Sequence, residues 1–209
     1  EYQNDYEFIY DEFIKIIKIM SLLGVFITVF CFWADEEIIL CYFGTQWMNA
    51  VSPFRWLSVC ITFQLMNAVF GAIYQSLGKT KEMFHSGIIH ISISLIAITA
   101  GAYSKNIIIL AIFVSISMIV KFFIEVYFLI RRCFSYSILE FLKIFIPELI
   151  VGGIMFAVVF IVGDFANGNY WIKLFAKLCI CIILYLGLLI ITGQYKYLML
   201  LKFKKQNTK

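Results

Sequence analysis

The sequence predicts an all-α protein, a polytopic bundle of about six membrane-crossing helices. Composition is the first reason: 63% of the 209 residues are hydrophobic and only 14% are charged, against about 25% charged in ordinary soluble domains. The second is a series of apolar runs that, at about 1.5 Å per residue, can cross a hydrocarbon layer of about 30 Å as helices. The third is the clustering of cations at alternate ends of those runs, as the resistance of Lys and Arg to translocation requires. With two prolines and no low-complexity linker, no domain boundary is expected.

Residues 1–15 read as a lead-in. Tyr6, Ile9, Tyr10, Phe13, Ile14 and Ile17 recur at helical spacing beside Asp5, Glu7, Asp11 and Glu12, the pattern of an amphipathic helix in the cytoplasm or at the interface. Its acidic face suits an anionic leaflet poorly. The first span covers 16–33, with Lys15 and Lys18 snorkelling at its start and Asp35-Glu36-Glu37 ending it. A short apolar piece, 38–43, and a turn-rich entry, 43–53, lead into the second span. That span, 56–77, is expected to cross as one helix and to stop at Gly78, followed by Lys79 and Lys81. The third span, 87–103, joins the fourth, 107–130, through the tight connection 104–106. Arg131, Arg132 and Lys143 flank a polar connection to the fifth span, 144–162. A loop at 163–169 precedes the sixth, 172–191, and residues 193–209 form a basic tail.

Thirteen of the 17 Lys and Arg residues fall on one side of this layout; Arg55, Lys105, Lys173 and Lys177 fall on the other. Both ends should therefore be cytoplasmic, with the 34–54, 104–106 and 163–171 connections outside. Trp33, Trp47, Trp56, Tyr170 and Trp171 then form an aromatic belt at the external edge. The net charge of +4 follows from topology and calls for no nucleic-acid partner. The six cysteines show no Cys-x-x-Cys or Cys/His cluster, so neither a disulfide framework nor a zinc site is expected. Cys179 and Cys181 read as small membrane-facing residues.

Gln64, Asn67, Gly71 and Gln75 share one face of the second span. Amides facing lipid are costly. They either glue neighbouring helices, with Gly71 allowing close approach, or form the polar wall of a transport cavity. Lys121 and Glu125 are four apart on the fourth span and can pair, as a neutralising pair or as a gate or coupling site. Lys173 and Lys177 share a face near the external end of the sixth span, where they snorkel or face a cavity. Glu148 follows Pro147 and is expected at the interface of a kinked helix, or else as a proton-coupled carboxylate. His85 sits in a cytoplasmic turn, whereas His90, beside Ser92 and Ser94, reads as a helix-to-helix hydrogen bond or a proton relay. No phosphate-cradling loop, nucleophile elbow or metalloprotease helix occurs. The chain is expected to be no enzyme and to use no cofactor.

Gly44, Trp47 and Ala50 make a Gly-x-x-Trp-x-x-Ala loop, followed by an apolar helix and the turn Gly78-Lys79-Thr80. This arrangement resembles the Wzx-type polysaccharide flippases, exporters of O-antigen and lipopolysaccharide units in the superfamily of the MATE multidrug transporters. The resemblance covers nearly the whole chain as the C-terminal portion of such a transporter. The start at Glu1-Tyr2-Gln3, without Met or a signal-peptide layout, reads likewise as a fragment. The resemblance implies flipping of undecaprenyl-diphosphate-linked oligosaccharide across the bacterial inner membrane. It implies membrane lipids as partners, a proton or sodium ion for coupling, and polysaccharide polymerase machinery nearby. If Lys173 and Lys177 face the cavity, they would help hold a pyrophosphate or acidic sugar. One alternative keeps the fold with another cargo: a MATE-like drug/cation antiporter, which would favour carboxylates in the membrane over the amides and lysines seen here. Another is a membrane glycan polymerase or ligase, which needs a larger external loop than 34–54.

Overall fold

The computed structural model describes residues 6–163 and 169–194, and within them the protein is helical throughout. Helix α1 spans Tyr6–Trp33, α2 Asp35–Tyr42, α3 Val51–Ser58, α4 Ile61–Ser76, α5 Thr80–Tyr103, α6 Ile107–Val126, α7 Ile138–Lys143, α8 Ile146–Val162 and α9 Tyr170–Ile191. A 3₁₀ turn, Thr45–Ala50, precedes α3, and a π-helical stretch, Tyr127–Cys133, extends α6. Five helices are long and apolar enough to cross a membrane, and a bent pair supplies a sixth. Residues 1–5, 164–168 and the tail from 195 lie outside the described residues.

The lead-in and the first span are one helix. No Gly or Pro interrupts 6–15, and the apolar stripe runs on into the membrane segment, so α1 continues for 28 residues. The expected second span is not one helix. The segments Thr45–Ser58 and Ile61–Ser76 meet at 55°, with the break at Val59-Cys60. A break at membrane depth must satisfy the backbone groups it frees. Here side chains do so: Ser58 Oγ donates to Arg55 O at 2.7 Å, Cys60 Sγ to Leu57 O at 3.1 Å and Ser115 Oγ to Trp56 O at 2.8 Å. Thr62 N donates to Thr28 Oγ1 at 3.2 Å. Half of this support comes from the local Ser58 hydroxyl and Cys60 thiol, and half from Thr28 and Ser115, which reach in from α1 and α6.

Helix α1 sits at the centre, against α3, α4, α8 and α9. One core lies near its start, where Phe13 stacks parallel to Phe141 at 5.8 Å between ring centroids and contacts Phe70. The other gathers Leu22, Val29, Val151, Met155, Cys181, Tyr185 and Leu189 from α1, α8 and α9. Between helices in lipid, close packing and hydrogen bonds do the work that water exclusion does elsewhere. Close approach is visible at Gly24, where a Cβ would stand 2.7 Å from Thr62 Cα. The hairpin of α5 and α6 lies further out, and α5 keeps most of its surface exposed.

Two side chains expected at the lipid boundary are interior. Trp33 is buried and donates from Nε1 to Gly163 O at 3.3 Å, because the α1 terminus is covered by α8 and α9. Cys181 is fully buried, whereas Cys179 is exposed. The tight connection at 104–106 is present, with Asn106 Oδ1 capping α6 by accepting from Ile108 N at 2.9 Å.

Candidate functional site

A polar groove opens between α4 and α6, lined by Gln64, Asn67, Ala68, Met118 and Lys121, with a volume of about 230 Å³. Gln64 is exposed and donates from Nε2 to Cys60 Sγ at 3.1 Å, which ties the groove to the helix break one turn away. The amide N and O of Asn67 are both buried and have no hydrogen-bond partner among the described residues. Such a group costs about 1–3 kcal/mol. Asn67 therefore glues no described helix. Gly71 is not a point of close approach, since a Cβ there would meet only Met83 Cε at 3.8 Å. Gln75 is exposed on the same face but lies beyond the groove.

Lys121 and Glu125 do not pair. Lys121 lines the groove, while Glu125 points to α5, where Ser86 Oγ donates to its carboxylate at 3.1 Å. Tyr74 OH donates to Glu125 O at a long 3.5 Å. The spacing allowed the pair, but the two side chains meet different neighbours on either flank of α6. Among the described residues His90 makes no helix-to-helix bond either: its Nε2 lies 2.9 Å from Ser94 Oγ, one turn further on in α5 itself.

The sixth span departs most from expectation. Lys177 does not snorkel and does not face the groove; it is 1% exposed. Its ammonium donates to Glu37 Oε2 and to Trp33 O, both at 2.8 Å, and lies 5.4 Å from the Trp33 ring centroid. Lys173, one turn away, is half-buried over the Tyr170 ring at 5.9 Å. Sequence reasoning missed what holds Lys177: the acidic turn that ends α1. Asp35, 1% exposed, is bound by Arg55 through Nε and, at 3.1 Å, Nη2. Arg55 also lies 5.8 Å from the Phe32 ring centroid. Thus α2 is clamped to α3 and α9 by two ion pairs. The signal was available, since Arg55 and Lys177 are cations on the minority side, and the acidic turn shares that side.

Glu148 lies inside the bundle and not on its surface. It is 1% exposed, in the first turn of α8, with Lys18 Nζ 3.9 Å from Oε1. Pro147 occupies the first turn of α8, where its missing N–H is no loss, and the span 138–162 is interrupted just before it, at Ile144-Phe145 between α7 and α8. Lys18 is buried with it.

The loop and turn residues take the conformations that their types favour. Gly44, at φ 86°, leads into the 3₁₀ turn that holds Trp47 and Ala50. Gly78, at φ 65°, ends α4, with Lys79 N donating back to Tyr74 O at 2.9 Å, and Thr80 starts α5. The sum of these features is clear. This is a multi-pass membrane protein. Comparison with family models, with curated proteins and with solved structures finds no match to the chain.

Proposed function

We propose that this chain is part of a secondary transporter that flips undecaprenyl-diphosphate-linked oligosaccharide across the bacterial inner membrane. The observation that carries the transporter reading is the broken span α3–α4 directly beside the groove of Gln64, Asn67 and Lys121. In transporters, discontinuous helices border substrate sites near the midplane. A buried amide with no partner among the described residues and an ammonium in the same groove suit a cargo rich in hydroxyl and phosphate oxygens. The choice of glycan carrier over another cargo rests on the likeness of the Gly44 loop and the Gly78 turn to polysaccharide flippases. Both ends of the bundle at 6 and 194 would then face the cytoplasm, and a second helical lobe would complete the cavity.

A drug/cation antiporter is the second reading, favoured by Glu125 and Glu148, buried carboxylates outside the ion-paired turn of Asp35 and Glu37. The groove, however, presents a cation. The deciding experiment is complementation with the parent gene in a bacterium lacking its O-antigen flippase, scoring surface polysaccharide and accumulated lipid-linked intermediate. Restored surface glycan supports the flippase. Drug efflux from the same cells without restored glycan supports the antiporter.

A further inference from the structure

Lys121 stands apart from the other cations of the spans. Lys18, Arg55 and Lys177 each face a carboxylate, on Glu148, Asp35 and Glu37 in turn, and Lys173 lies over the Tyr170 ring. Lys121 is half-buried in the groove and has neither a carboxylate nor a hydrogen-bond acceptor beside it among the described residues. An ammonium within a span is held by a counter-charge or by water. What Lys121 lacks is an anion. The groove leaves it open to one, because most of the wall is polar and Gln64 beside it is exposed.

A second basic group comes from α5. The chain reverses at Gly78, and α5 returns beside α4, with Met83 Cε 3.8 Å from the Cβ position of Gly71. His90 is about two turns further along α5, and Gln64 about two turns back along α4, so the imidazole reaches the level of the groove. Ser94 Oγ holds the ring at Nε2, 2.9 Å away, and Nδ1 has no partner among the described residues. Tyr74 of α4 is buried against Glu125, and Glu125 of α6 is bound by Ser86. Arg132 of the π-helical stretch is bound by Glu82, and Tyr127, Arg131 and Cys133 share that stretch. On α5 itself, Lys81, Glu82, His85 and Tyr103 are more than one turn from His90. Among these groups, Lys121 is the charge that acts on His90. Helix α5 is also the least apolar and the least buried of the five long helices. Lipid would select the reverse, whereas the wall of an aqueous groove selects this.

Two basic groups on neighbouring helices suit a ligand with two negative charges. Size agrees: on the scale by which about 150 Å³ holds benzene, the groove of about 230 Å³ takes roughly nine non-hydrogen atoms, as many as a diphosphate has.

We propose that the groove holds a diphosphate diester between Lys121 and the protonated ring of His90, so that anion and proton bind together. Each favours the other, since an anion beside an imidazole stabilises its charged form and linkage is reciprocal. The assignment rests on the transporter reading of the groove and adds which residues grip the cargo and that a proton accompanies it.

The probe is the dimethyl diester of diphosphate, whose two charges are fixed between pH 5.5 and pH 8, titrated calorimetrically into the purified chain in neutral-detergent micelles. The parent chain should bind it about tenfold more tightly at pH 5.5 than at pH 8, and His90→Gln should bind it equally at both. His90→Arg, a fixed cation, should bind at pH 8 as tightly as the parent does at pH 5.5. Lys121→Gln should weaken binding roughly tenfold at both pH values. No binding by the folded parent chain, a pH ratio that survives in His90→Gln, or a Lys121→Gln chain that binds like the parent overturns the proposal. Sulfate bound as tightly as the diester overturns the diphosphate assignment. Should Lys121→Gln fail to fold, Ala68→Phe, which fills the groove and keeps the charge, must abolish binding. Complementation is scored separately. Restored glycan without diester binding removes this site and leaves the flippase standing, whereas diester binding without restored glycan keeps the site and counts against the flippase.

Discussion

Replacing Lys177 by Met tests the buried clamp at its most loaded point. The substitution removes two 2.8 Å hydrogen bonds, to Glu37 and to the Trp33 carbonyl, and leaves Glu37 at 5% exposure without its counter-charge. Breaking one side of a buried pair costs about 3–5 kcal/mol. The deficit of Lys177→Met against the parent should therefore be about 3–5 kcal/mol. The double variant Glu37→Leu/Lys177→Met should recover most of it, since an apolar pair replaces the ionic one. Reversible unfolding in mixed micelles supplies the numbers. A Lys177→Met deficit below about 1 kcal/mol, or one that the double variant does not relieve, would sink this account and return Lys177 to a snorkelling role.

Asn67→Leu should leave stability unchanged or raise it by about 1 kcal/mol, because it removes two unsatisfied buried atoms, while glycan export by the full-length protein falls; a stability loss would mean that Asn67 does bind a helix. Gly24→Ala should destabilise by about 1–3 kcal/mol by driving Cβ into Thr62, whereas Gly153→Ala, with nothing within 4 Å of the new Cβ, should be neutral or mildly stabilising in the same melts. Burial, and then Glu37, push the Cys41 thiol up from its ordinary value. Less thiolate is thus present at neutral pH, and maleimide labelling of a variant retaining only Cys41 should keep accelerating as pH rises past 9; a rate that levels off below that would contradict the Glu37 neighbourhood.

Hydropathy made the spans legible because lipid imposes a length and a composition on any crossing helix. The ends of α1, α5, α6, α8 and α9 follow from it within a few turns. The break at Val59-Cys60 was hidden, since neither residue is a helix breaker and the groups that stabilise it include Thr28 and Ser115, which are distant in sequence. The groove was half legible. The spacing of Gln64 and Asn67 put them together, but Lys121 joined them only through the packing of α6 on α4. Spacing misled for Lys121 and Glu125, because an allowed i,i+4 pair competes with every neighbour the fold brings up. The clamp was illegible as contacts: Lys177 meets Glu37 across 140 positions of sequence. A buried charge announces only that a partner must exist.

The same long reach has a consequence for how the protein is made. Helix α1 has its Trp33 carbonyl bound by Lys177, 144 residues on, and its Leu22 carbonyl by Tyr185, 163 residues on. At about 5–20 residues per second, synthesis leaves an interval of roughly seven to thirty seconds between the emergence of Trp33 and that of Lys177. Throughout it, Trp33 and Glu37 are without Lys177, and the central helix of the bundle waits for α9. Assembly of this bundle thus has an interval, set by the sequence separation of the two partners, in which the clamp on α2 is incomplete.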